Sequence, residues 1–242
     1  MIRTETMART IKIDNALQKR HEYKKNKRKK RTVICRILIV CEGEKTEPNY
    51  FRSFDKFRKG NVIYELTLGG GRINTVGVVD KAISLRDRAT VPYDRVWAVF
   101  DRDGFPAKNF NNAIVKAKQN HIQCAWSNEA FELWYLYHFH NRVTGMTRDE
   151  YAVSITKAVN ASPLYQKKIP YQYAKNDKSS FDIITTFGSQ ENAIRWAEAK
   201  HNEYTDERYA MHNPCTTVYR LVRQLIGADE ELNEEITRKI DE

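Results

Sequence analysis

The feature that most constrains this chain is a hydrophobic run ending on a carboxylate, Ile37-Leu38-Ile39-Val40-Cys41-Glu42-Gly43, answered about sixty residues later by a second, Val96-Trp97-Ala98-Val99-Phe100-Asp101-Arg102-Asp103. Each is too short for a helix in this setting and reads as a strand buried on both faces. Strands are expected over Cys35 to Cys41, Val62 to Leu68, the run to Phe100, and Ile122 to Trp126. Helices are expected from near Thr46, behind a cap at Asn74 or Thr75, over Ala107 to Asn120, and over Glu129 to His138 behind a Ser127-Asn128 cap. Gly69-Gly70-Gly71 is expected to end the second strand. This alternation is the signature of an α/β fold, a parallel sheet with helices on both faces and right-handed crossovers. Glu42, Asp101 and Asp103 then fall on one sheet edge, with Glu132 beyond the fourth strand. Ligands of open α/β sheets collect at that edge, and carboxylates there suit a hard divalent cation such as Mg²⁺ held against a phosphate. Phosphodiester chemistry is the leading expectation.

The formal charge of +10 is unevenly distributed. Lys19 to Arg31 holds nine Lys or Arg against one Glu, whereas Ala228 to Glu242 holds seven acids against two bases. Lys24, Lys25, Lys27, Arg28, Lys29, Lys30 and Arg31 repel one another in a free chain, yet could displace counterions from a nucleic-acid backbone. The body between the two ends is basic as well, which favours nucleic acid as a partner. No apolar run approaches the roughly 20 residues of a membrane span, and the basic N-terminus lacks a signal-peptide core. A soluble cytoplasmic protein with no membrane partner is expected. Cys35, Cys41, Cys124 and Cys215 have no CxxC spacing and read as core thiols. The length suits one catalytic domain with additions: a basic segment over 1–31, a catalytic domain over 32–141 and a helical extension over 142–242.

Three motifs in order, Cys41-Glu42-Gly43-Glu44-Lys45-Thr46-Glu47-Pro48-Asn49-Tyr50-Phe51, Phe100-Asp101-Arg102-Asp103, and Ser127-Asn128-Glu129-Ala130-Phe131-Glu132-Leu133-Trp134 followed by His138-Phe139, resemble the RloB family. The resemblance is strong over Thr32 to Asn141 and weaker at Asn213 to Val218 and Leu221-Val222. It implies a Toprim-like fold and a place in phage defence, beside an AAA or ABC-type ATPase. It also implies that Glu42 acts as general acid or base or helps hold metal, and that Asp101 and Asp103 hold Mg²⁺, with Mn²⁺ as a substitute. Alternation along an extended chain would turn residues 101 and 103 to one side and leave Arg102 facing away or toward a phosphate. Glu132, charged within an apolar helix, is a fourth candidate ligand. Lys45, beside a helix start, is a candidate phosphate contact.

Gly43-Glu44-Lys45-Thr46 is not a P-loop, because Leu38 stands inside a strand where the first glycine would be needed. No ATPase activity is expected from this chain. His138 and His140 read as packing or capping residues. Tyr165, Lys167, Lys168, Tyr171, Tyr173 and Lys175 could stack bases and hold phosphates, or be half-buried surface aromatics. The leading reading is a metal-dependent nuclease of Toprim type acting on DNA or RNA, tRNA included, in abortive-infection defence. A non-catalytic nucleic-acid-binding or docking subunit of an ATPase complex is the alternative, and an enzyme of small phosphates the less attractive third.

Overall fold

A computed structural model of the protein describes residues 32–60, 62–71, 74–175 and 177–241. The basic residues from Lys24 to Arg31 lie outside them. In chain order the elements are β1 (Val33–Cys41), α1 (Thr46–Arg52), β2 (Arg58–Lys59), β3 (Val62–Gly70), α2 (Thr75–Asp87), β4 (Arg95–Asp101), α3 (Ala107–Gln119), β5 (Gln123–Asn128) and α4 (Glu132–Tyr137). The chain continues with α5 (Arg148–Ala161), α6 (Ser180–Phe187), α7 (Gln190–Asn202), a 3₁₀ turn (Tyr209–Met211), β6 (Cys215–Thr216), α8 (Val218–Leu225) and α9 (Glu230–Asp241).

The strands form one sheet in the order β2-β3-β1-β4-β5-β6. Its four central strands are parallel, as the alternation predicts, while β2 and β6 pair antiparallel at the two edges. The sheet is therefore mixed, because a short hairpin and a late return strand close its edges. From β1 the chain first winds to β3, then crosses to β4 on the other side. The winding reverses between β1 and β4, so a crevice opens at their carboxyl ends. Glu42 and Asp101 stand at those ends.

Both faces of β1 are buried, with Ile37, Ile39 and Cys41 in one apolar cluster and Leu38 and Val40 in the other. The second cluster is closed by α2 and α3 through Val78, Val79, Phe110 and Ala113. The first is larger and draws on the C-terminal half, with Tyr151 and Ile155 of α5 and Leu221 and Val222 of α8 in the same cluster as Trp97. The helical extension thus shares its core with residues 32–141. All four cysteines are buried and free.

The glycine triplet ends β3 as expected, the strand running to Gly70, paired in register with Cys41. Gly70 has φ +117°, and a side-chain carbon there would lie 1.9 Å from the Cys41 carbonyl oxygen, so only glycine fits. Ser127 and Asn128, by contrast, do not cap a helix as expected. They extend β5 because β6 pairs with them, and their side chains meet Thr216 Oγ1 at 2.9 Å and the Ala210 carbonyl at 3.1 Å. The helix beyond starts only at Glu132.

The acid-rich end folds as α9 against the amino edge of the sheet. Arg95 grips Glu235 with two bonds of 2.9 and 2.8 Å, Lys239 pairs with Asp94, and Leu232 and Ile236 are buried. Among the described residues, no helix is long and apolar enough to cross a membrane.

Candidate active site

A cavity of about 450 Å³ opens at the β1/β4 crevice and collects Glu42, Glu44, Glu47, Asp101, Asp103 and Glu132. Its cations are Lys45, Arg148 and Lys175. Glu42, Asp101, Asp103, Glu132 and Lys45, all read from the sequence as site residues, are brought together here. Glu47, Arg148 and Lys175 join them, along with Tyr173, which reaches Glu132.

Each carboxylate is held by an identifiable part of the fold. The Glu42 amide donates to the Val99 carbonyl at 2.9 Å, which ties the end of β1 to β4, and the Glu42 carboxylate accepts from the Asp101 amide at 3.2 Å. Asp101, 5% exposed, is the last residue of β4. Asp103 does not continue the strand: its φ is +41°, a left-handed turn that Asp tolerates, and its amide donates to the Glu129 carbonyl at 3.1 Å. The i, i+2 alternation expected for Asp101 and Asp103 is therefore absent. What joins the two is Arg148, whose Nη2 lies 3.2 Å from Asp101 Oδ2 and 2.8 Å from Asp103 Oδ1.

Arg148 is the first residue of α5, and its position follows from local chemistry. The Thr147 amide and hydroxyl both donate to Glu150 Oε2, at 2.7 and 2.8 Å, which fixes the start of the helix. Glu132 opens α4 and is 4% exposed; it accepts a 3.0 Å bond from the Tyr173 hydroxyl. Glu47 lies in the first turn of α1 and is 6% exposed. Gly43 makes room for it, since a side-chain carbon at Gly43 would fall 2.5 Å from Glu47 Oε2.

Crowding of buried acids sets the electrostatics. Burial raises the Glu42 carboxyl from its ordinary 4.5 to about 7, with Asp103 and Glu47 adding to the rise against the Asp101 amide and Arg148. Asp101 is pushed well above the usual carboxylate range by burial first, then by Glu47, Glu132 and Asp103, with Arg148 opposing. Glu47 rises for the same leading reason, with Glu132 beside it. The cavity holds more negative charge than its cations balance. As they stand, no three His, Cys, Asp or Glu side chains among the described residues are arranged to hold a metal ion. Arg148 bridges the two aspartates instead.

Other sequence candidates fall elsewhere. Arg102 turns its Nη1 back onto the carbonyls of Asp103, at 2.7 Å, and Phe105, so it braces its own turn. Tyr171 and Tyr173 are core residues, 8% and 7% exposed, and Lys167 sits over the rings of Tyr165 and Phe187. The aromatic and lysine cluster is therefore largely packing, with Tyr173 and Lys175 turned to the site. His138 is buried, its Nδ1 3.0 Å from the Trp134 carbonyl oxygen, and burial lowers it to about 4, as suits a packing residue.

Glu47 escapes a sequence reading because an acid in the first turn of a helix is ordinarily explained by the helix dipole. Its signal is the apolar company it keeps in α1, where Pro48, Tyr50 and Phe51 are all buried. Arg148 gives a weaker signal, since the Thr147 and Glu150 pair marks a helix start without showing what its first side chain meets.

Comparison with known proteins agrees with the motif resemblance. No curated protein and no solved structure matches the chain. A family model described as RloB-like protein matches residues 37–225, which span both the strand-end acids and the α5 to α8 region. The chain belongs to the RloB-like family.

Proposed function

We propose that this protein is a metal-dependent nuclease of Toprim type, hydrolysing phosphodiester bonds in DNA or RNA at the β1/β4 crevice. The observation that carries the reading is the convergence of Glu42, Asp101, Asp103 and Glu132 in one cavity at the point where the sheet reverses its winding. The donors are all carboxylate oxygen, the chemistry a hard cation takes, and would have to close around an ion in place of the Arg148 bridge. Asp101, Asp103 and Glu132, with Glu42 beside them, would hold Mg²⁺ or Mn²⁺. The ion would polarise a phosphoryl oxygen and lower the pKa of water.

The chain's own residues supply the remainder. Glu42, raised to about 7, exchanges a proton readily near neutral pH, which is what a general acid or base needs. Tyr173 holds Glu132 in place by its hydroxyl. Arg148 keeps Asp101 and Asp103 close together and offers a guanidinium where a phosphate would approach. Lys45 and Lys175, at the cavity wall, add positive charge for the strand. Family membership supports the placement in abortive-infection defence with an AAA or ABC-type ATPase as partner.

A second reading is favoured by the Arg148 bridge itself: a non-catalytic docking subunit, in which the guanidinium permanently neutralises the aspartates. Cleavage of end-labelled tRNA, single-stranded DNA and duplex DNA, with Mg²⁺, Mn²⁺ or EDTA, separates the two. Metal-dependent cleavage lost in Glu42→Ala and Asp101→Ala supports the nuclease and names its substrate. Binding without cleavage on every substrate supports the docking subunit.

A further inference from the structure

A second cavity, of about 540 Å³, lies along the outer edge of β5 and has the opposite electrical character. It exists because β6 is only two residues long and pairs with Ser127 and Asn128 alone, leaving β5 without a strand partner before them. Thr217 covers part of the gap: its Oγ1 accepts from the Trp126 amide at 3.0 Å and donates to the Cys124 carbonyl at 3.2 Å. Gln123, at the start of β5, lines the cavity, and its Oε1 is shielded from solvent with no hydrogen-bond partner. A buried acceptor of this kind costs free energy until a donor reaches it.

The wall is basic. Lys118, His121, His201 and Arg220 line the cavity, and no acid does. Lys118 has Glu207 at 3.7 Å, but both side chains are largely exposed, so the pair neutralises little. Among the described residues, Arg220 has no carboxylate within ion-pair distance. His201 is held by Tyr219, Nδ1 to hydroxyl 2.9 Å, with its ring edge-on to Trp126. Burial lowers His201 below its ordinary value, and Arg220 and His212 lower it further. Tyr209, half-buried, adds an aromatic wall 6.1 Å from Trp126.

We infer that this cavity binds a single nucleotide unit, with Arg220 and Lys118 taking its phosphate and Gln123 and Tyr209 its base. The basic side chains call for an anion, the orphaned amide oxygen calls for a donor such as a base amino group, and the volume suits a small ligand. The unit is either a free nucleotide or one residue of a strand, which present the same chemistry. This inference is independent of the reading of the acidic cavity.

Calorimetric titration of the full chain in EDTA, with adenosine monophosphate, adenosine, inorganic phosphate and a short adenylate oligonucleotide, tests it. Arg220→Ala serves as control, since Arg220 is exposed and its loss opens no core. The monophosphate is expected to bind more tightly than adenosine or phosphate, and about tenfold more weakly to Arg220→Ala. Oligonucleotide binding that is weakened in the same variant, without monophosphate binding, assigns the cavity to a strand. Heat from neither nucleotide ligand, or binding equal in parent and variant, overturns the site.

Discussion

The two cavities sit on one sheet, one at the β1/β4 crevice and one at the outer edge of β5, and they differ in sign for reasons of topology. The first lies where β1 and β4 end, at the reversal of winding, and gathers six carboxylates around Arg148. The second lies where β5 outruns the two-residue β6, and gathers Lys118, His121, His201 and Arg220 with no acid. In the first, burial and mutual repulsion raise the acids Glu42, Glu47 and Asp101, the setting in which we propose a divalent cation. In the second, an unpartnered amide oxygen and weakly compensated cations favour an anion. Similar volumes of space thus carry opposite chemistry, and the sheet's connectivity decides which.

The largest expected effect breaks the comparison at the acidic side. Asp101→Asn keeps the shape of the β4 end but removes a charge, and cleavage under Mg²⁺ should fall by at least about 100-fold, since loss of even an outer-sphere partner costs 10 to 100-fold. Cleavage at the parent rate would remove this cavity from the chemistry.

Arg148→Ala should come next. It leaves Asp101 and Asp103 unpaired, and urea unfolding in EDTA should show a loss of about 1–2 kcal/mol, moderated because Arg148 is partly exposed. Mg²⁺ should stabilise the variant more than the parent, as the cation and the guanidinium answer the same charges; equal stabilisation would show that they do not. Tyr173→Phe removes the bond to Glu132 and should cost about 1 kcal/mol in the same assay. A variant as stable as the parent would mean that Glu132 is not held by that hydroxyl.

The smallest effect concerns pH. The folded Glu42 carboxyl titrates at about 7, above its ordinary 4.5, so the fold holds a proton there that the unfolded chain releases earlier. Its contribution is fully present below about 4.5 and is lost as pH rises through about 7. Relative to Glu42→Gln, the metal-free parent should lose about 3 °C of Tm between pH 5 and pH 8, which is the linkage of ~1.4 kcal/mol per unit discounted for the partial exposure of Glu42 and converted at about 2–4 °C per kcal/mol. A constant difference across that range would show that Glu42 ionises normally.

Much of the acidic side was legible in the residues, and almost none of the basic side. The apolar runs before Glu42 and Asp101 announce buried parallel strands because hydrophobic pattern is local information. The start of α4 lies later than local pattern predicts because β5 is lengthened by pairing with Cys215 and Thr216, some ninety residues away, and no local signal at Ser127 and Asn128 reports that. The same return strand leaves the β5 edge open, so the basic cavity was equally hidden. Asp103 reaches the site through a left-handed turn and an ion pair, where strand alternation would have used simple extension. Arg148 reads only as the start of a helix and Tyr173 as one of an aromatic and lysine cluster, and tertiary packing alone brings them to the acids.

The central claim is that the acidic cavity is a cation site, and the most direct test is calorimetric or paramagnetic titration of the purified protein with Mn²⁺. Saturable binding by the parent, lost in Asp101→Asn and competed by Mg²⁺, is expected. Equal binding by parent and variant, or no binding by either, would contradict it.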